Sequence, residues 1–127
     1  VCASACVVAL VACRPTFHGV VLEPPGPAPP LALADSTGAT FDLAAQRGKV
    51  VLVFFGYTHC PDVCPTTLAD WHRARQALGD DASQVRWVFV SVDPERDDPR
   101  AAHRYAAKFD PAFVGLSGVP SPVAATL

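Results

Sequence analysis

Apolar residues along this chain change their spacing several times, and each change marks an element. Val50-Val51-Leu52-Val53-Phe54-Phe55 is an unbroken apolar run rich in β-branched and aromatic residues, closed by Gly56. Such a run predicts a central strand buried on both faces. From Pro65 to Leu78 the period becomes helical, with Leu68, Trp71, Ala74 and Leu78 on one face. Pro65 suits a first helical turn, where its missing N–H costs nothing. Val85 to Val92 predicts a second strong strand. Asp98 followed by Pro99 reads as an N-cap and first helical residue. The helix they open has an inner face of Ala102, Tyr105, Ala106 and Phe109, and Phe113 to Leu116 predicts a further strand. Earlier, Leu31 to Asp35 and Thr40 to Leu43 flank the turn signal Ser36-Thr37-Gly38 and predict a β-hairpin.

The order is hairpin, strand, helix, strand, helix, strand. Alternation of this kind predicts an α/β domain with a mostly parallel central sheet, since strand–helix–strand crossovers set like-directed strands side by side. Residues 31–127 are therefore assigned to one domain. Before it, residues 14–30 hold the run Glu23-Pro24-Pro25-Gly26-Pro27-Ala28-Pro29-Pro30, which suits neither helix nor central strand and reads as an extended spacer. Residues 1–13 are uncharged and apolar. They are too few to span a bilayer, which takes about 20 apolar residues, but they match the core of an export signal. Leu10-Val11-Ala12-Cys13 resembles a bacterial lipobox, which makes Cys13 the candidate lipidation site and the domain an exported one. On this reading it is anchored to the bacterial cytoplasmic membrane and faces the periplasm or cell exterior. A truncated membrane helix and a buried strand are the competing readings of the same stretch.

Composition narrows the classes. Of 127 residues half are hydrophobic and 17% are charged, which suits a packed core rather than a disordered chain. The net charge of −2 and the lack of any Lys/Arg-rich run exclude a basic nucleic-acid footprint. The five cysteines fall into two groups, Cys2, Cys6 and Cys13 in the leader and Cys60 and Cys64 in the domain. That is not the spread of a disulfide-stapled scaffold, so the interior pair is a switchable dithiol or a ligand pair.

Cys60 and Cys64 stand where the apolar strand hands over to a helix, the edge of an α/β sheet where ligands usually bind. Helix N-terminal amides favour thiolate there. Two thiolates form a soft donor set that favours Cu(I) over hard cations, and the same pair can close a disulfide. The spacing is C-x-x-x-C, one residue longer than a thioredoxin redox motif. A structural disulfide and a peroxidase cysteine are further readings, although the arrangement of residues before Cys60 does not fit the peroxidase site.

Gly48 to Pro65, with Tyr57-Thr58-His59-Cys60-Pro61-Asp62-Val63-Cys64-Pro65 at its end, resembles the signature of the Sco/SenC family. Ser91-Val92-Asp93-Pro94-Glu95-Arg96-Asp97 resembles that family's second motif. Tyr105 with Phe109-Asp110-Pro111 through Gly115-Leu116-Ser117-Gly118 resembles its third. The resemblance runs from about Pro30 to Gly118 and implies a thioredoxin-like fold. It further implies a metallochaperone that carries copper, Cu(I) or Cu(II), to the copper-binding subunit of cytochrome c oxidase or to another copper protein. Cys60 and Cys64 would be its two thiolate ligands. Some members act as thiol reductants, so a thiol:disulfide oxidoreductase that reduces a partner's copper-ligand cysteines is the alternative activity. The family's third ligand is a histidine beyond the third motif. The chain begins with Val1 and stops at Leu127, so both ends are expected to be incomplete, leaving a sheet edge and a core face uncovered.

The other polar candidates are His59, Asp62, Asp93 and Asp97. His59, next to Cys60, could favour thiolate or substitute as a ligand, and Asp93 could tune the thiols from a neighbouring loop or simply cap a turn before Pro94. His18 falls in the linker. His72 and His103 fall on the predicted helices, as solvent-facing or packing residues.

Overall fold

The computed structural model describes residues 18–119. The leader 1–13, with Cys13, and residues 120–127 lie outside the described residues. Residues 18–30 form neither helix nor strand and are exposed, and Leu31 is the first buried side chain. Among the described residues no helix is long and apolar enough to cross a membrane.

The expected hairpin consists of β1 (Ala32–Ala34) and β2 (Thr40–Asp42), paired antiparallel with Leu33 opposite Phe41. Its turn is held by the Asp35 carboxylate, which accepts from the N–H groups of Thr37 at 2.8 Å and Ala39 at 3.1 Å. A short 3-10 turn, Leu43–Gln46, follows. Then come β3 (Val50–Gly56), α1 (Val63–Leu78), a 3-10 stretch Gly79–Gln84, β4 (Val85–Ser91), α2 (Pro99–Ala107) and β5 (Phe113–Ser117). The sheet order is β2-β1-β5-β4-β3, with β3, β4 and β5 parallel and β1 antiparallel to β5.

β4 alternates cleanly between two cores, as a strand buried on both faces must. Trp87 and Phe89 point to the helical side, where they meet Leu68 and Trp71 of α1, Ala102, Tyr105 and Ala106 of α2, and Phe113. Trp71 stands edge-on to Trp87 and Phe113, with ring centroids 5.6 and 5.8 Å apart. Val88 and Val90 point the other way, toward Leu31, Leu33, Phe41 and Leu116. Asp98 caps α2 through its carboxylate, which accepts from Ala101 N–H at 2.6 Å, and Pro99 is its first residue, as expected.

Two expectations need correction. The apolar run of β3 does not form the central strand; among the described residues β3 is the sheet edge, and Val50, Leu52 and Phe55 are exposed. An apolar run states that a strand can be buried, but the partner strands decide whether it is, and here β5 takes the centre, with β4 between it and β3. Likewise Ala74 and Leu78 of α1 are exposed, while Leu68 and Trp71 pack inward. Helical periodicity marks which side faces the sheet, not how far along the helix the covering extends.

Candidate functional site

β3, β4 and β5 all run toward one edge of the sheet, and the cysteine motif lies on that edge. Gly56 ends β3, residues 57–62 form a loop, and α1 begins at Val63, two residues earlier than Pro65 suggests. Cys64 is therefore already helical and is buried at 3% exposure, while Cys60 sits half-buried in the loop. Both thiols are free. The Cys64 N–H donates to Cys60 Sγ at 3.4 Å, and the Cys60 N–H donates to the Tyr57 carbonyl at 3.3 Å.

These surroundings divide the two thiols. The backbone N–H groups of Asp62, just before the helix, and of Cys64, in its first turn, bring the Cys60 pKa down to about 7, helped by the Cys64 thiol and the Tyr57 hydroxyl and opposed by burial. Burial pushes the Cys64 thiol up, with the neighbouring Cys60 adding to it and a backbone hydrogen bond at Tyr57 opposing. Cys60 is therefore the more readily ionised of the two thiols.

The loop is tied to the second motif by Asp97. Its side chain is fully buried and accepts from the Thr58 N–H at 2.8 Å, the Thr58 hydroxyl at 2.6 Å and the Ser91 hydroxyl at 2.6 Å. Burial alone would raise this carboxyl, but the bonds from Ser91 and Thr58 outweigh it and keep the pKa below the usual range. His59 Nδ1 lies 3.1 Å from the Thr58 hydroxyl and 3.6 Å from Asp97, with its side chain 62% exposed. Asp93 is turned to Arg96, with which it forms an ion pair. Asp62 precedes α1 without a side-chain cap, and its carbonyl accepts from the Thr66 hydroxyl.

Among the sequence candidates, then, Cys60, Cys64 and His59 share one loop and helix start, and Asp97 rather than Asp93 connects to them. Ser91 carries the signal for this: a polar residue that closes the apolar, buried run Trp87 to Val90 needs a partner in the interior. His72 has a packing role, with Nδ1 3.0 Å from Asp110, while His18 is exposed and His103 is half-buried on α2. Among the described residues no group of three or more His, Cys, Asp or Glu side chains is placed to hold a metal ion. The two thiols are soft donors, a chemistry that fits Cu(I) better than hard cations.

The SCO1/SenC family profile matches residues 25–127. An SCO2-like protein of Rickettsia conorii is 37% identical over 86 residues, which are 68% of this chain and 42% of that protein. The structure of Bradyrhizobium japonicum ScoI with copper bound is 47% identical with a TM-score of 0.67, covering 76% of this chain and 61% of that one. The solution structure of apo Sco1 from Thermus thermophilus is 49% identical with a TM-score of 0.77, covering 86% and 63%. The α/β architecture is thus the thioredoxin-like one expected from sequence. The chain spans less than half the length of the first curated relatives it matches.

Proposed function

This chain belongs to the SCO1/SenC family, and from that premise we propose that it is a copper metallochaperone whose cargo is held by the thiolates of Cys60 and Cys64. The observation that carries the reading is the placement of two free thiols side by side, Cys60 in the loop before α1 and Cys64 in its first turn, with Cys60 poised to ionise near neutral pH. Two thiolates satisfy Cu(I), which accepts low coordination numbers from soft donors, whereas Cu(II) prefers more nitrogen and oxygen donors than this pair offers. Delivery is ligand exchange: a partner's thiolate adds to the ion as a protein thiolate leaves, with no change in oxidation state. The partner is the copper-binding subunit of cytochrome c oxidase, or another copper protein, as the family resemblance implies. Residues 1–13 serve as an export leader, with Cys13 the lipidated residue, and residues 14–30 as the spacer. Once the leader is cleaved, the lipid on Cys13 and this spacer hold the domain on the outer side of the bacterial cytoplasmic membrane.

The division between the two thiols favours a second reading. A low-pKa, accessible Cys60 backed by a buried Cys64 is also the arrangement of an attacking and a resolving thiol. One experiment separates the two. The reduced chain is titrated with Cu(I) under anaerobic conditions, beside Cys60→Ser and Cys64→Ser. Tight one-to-one binding that both substitutions abolish is the expected result. No copper retention together with rapid reduction of a disulfide substrate would replace the chaperone reading with the oxidoreductase one.

A further inference from the structure

We propose that Asp97 is a positioning residue for the thiol pair, fixing the loop that carries Cys60 to the ends of the sheet's inner strands. The two sulfurs ride on different supports. Cys64 belongs to α1, whereas Cys60 belongs to a loop without regular structure. The loop's own ties near Cys60 are long: 3.3 Å from its N–H to the Tyr57 carbonyl, and 3.4 Å from its sulfur to the Cys64 N–H. The short ties are those from Thr58, two residues before Cys60, to the Asp97 carboxylate at 2.6 and 2.8 Å.

Asp97 is anchored in turn. Its carboxylate accepts from Ser91 at the end of β4, its carbonyl accepts from the Ser117 hydroxyl at the end of β5, and its N–H donates to the Asp93 carbonyl at 2.9 Å. Hydrogen bonds to an ionised, buried acceptor are short and roughly twice as strong as neutral ones. A carboxylate is kept in the interior only where such donors surround it. An asparagine would supply one acceptor oxygen and turn an N–H₂ group toward donors, leaving part of this cluster unpaired. The inference draws its metal from the proposed function, but its claim concerns the two sulfurs themselves and can be read without copper.

The test equilibrates the reduced chain with a glutathione buffer. Oxidised glutathione takes up two electrons and two protons as the Cys60 and Cys64 thiols become a disulfide, giving two reduced glutathiones. The equilibrium constant reports how well the sulfurs are held within bonding reach. Asp97→Asn is expected to lower it about fivefold or more, the scale of one lost hydrogen bond. Thr58→Val keeps the side-chain shape and the Thr58 N–H bond to Asp97 while removing the hydroxyl that meets Asp97 and His59; it is expected to lower the constant by less than Asp97→Asn does. Ser117→Ala removes one anchor of the Asp97 main chain but leaves the carboxylate and its bonds to Thr58 and Ser91, so it is expected to lower the melting temperature and to move the constant by less than Asp97→Asn does. Cu(I) affinity across the same proteins is expected to follow the same order. If Thr58→Val leaves the constant unmoved, or if Ser117→Ala shifts it as much as Asp97→Asn does, Asp97 is a general stability residue and the proposal is wrong. A wild-type chain that holds no Cu(I), but whose constant falls in Asp97→Asn and Thr58→Val, would overturn the copper reading and uphold the positioning one.

Discussion

The main chain of Gly56 lies against the sulfur of Cys64: a Cβ at Gly56 would stand 2.7 Å from that sulfur and 3.0 Å from the ring of Phe89. The last residue of β3 thus forms the floor on which the buried thiol rests. Phe89 is fully buried and fixed by its neighbours, so the sulfur is the atom that must give way. Gly56→Ala is expected to destabilise the fold by about 1–3 kcal/mol, the usual cost of overpacking a core. It should also weaken Cu(I) retention by displacing Cys64. Urea melts and Cu(I) competition read the two effects, and retention at wild-type affinity would show that the thiol does not depend on this floor.

Gly115 on β5 is a harder contact of the same kind. A Cβ there would lie 2.3 Å from the carbonyl oxygen of Ala102, an atom of the α2 backbone rather than a side chain that can rotate away. Gly115→Ala must separate α2 from the sheet and open the cluster of Phe89, Ala102, Ala106 and Phe113. The expected loss is about 3 kcal/mol or more, enough to unfold a domain of marginal stability. A variant that melts within a few degrees of wild type would show that the helix can ride up without cost.

The sequence made the element order, the α2 cap at Asp98 and the cysteine junction legible, because each rests on local chemistry: periodicity, a capping carboxylate, an apolar strand ended by glycine. It misplaced β3 because sheet order is a long-range property. Val50 to Phe55 would read the same as an edge or as a centre. Asp97 was visible as a candidate but without a role, since its partner Thr58 stands 39 positions earlier in the chain and is brought to it only by the β3–β4 pairing. Gly56 was read as a strand end, and its contact with Cys64 becomes apparent only once α1 folds back over the loop.

The unequal thiols give a prediction in pH. The Cys60 pKa is lowered to about 7 by helix-start N–H groups, so half of it is thiolate near neutral pH, whereas a free cysteine reaches that point at about 8.5. Iodoacetamide is expected to modify Cys60 first, with a rate that rises through a midpoint close to 7 and levels off above it. Cys64, buried and shifted up, should react slowly and only at higher pH. Peptide mapping after timed alkylation from pH 5 to 10 checks both statements, and early labelling of Cys64 would reverse the assignment.

Asp110 supplies an acid-sensitive link between α1 and the loop that leads to β5. Its carboxylate, only 4% exposed, accepts from His72 at 3.0 Å and Arg75 at 3.2 Å, and from the Ala112 N–H at 2.9 Å. Burial alone would raise its pKa, but the Ala112, His72 and Arg75 interactions outweigh it and hold the group below the ordinary carboxylate range. The folded-state pKa is therefore below the unfolded one, and on acidification the unfolded chain takes up the proton first. The stabilisation is complete above the unfolded value of about 4 and is lost as pH falls through the folded one. Asp110→Asn is expected to cost about 2–3 kcal/mol at pH 7, the scale of a broken buried hydrogen bond to a charged group. The gap between wild type and variant should narrow as pH falls below about 4, because protonation then removes from the wild type what the substitution has already removed. Urea melts across pH 2 to 7 measure that gap directly, and a gap that stays constant to the lowest pH would mean that the ionised state of Asp110 adds nothing to the link.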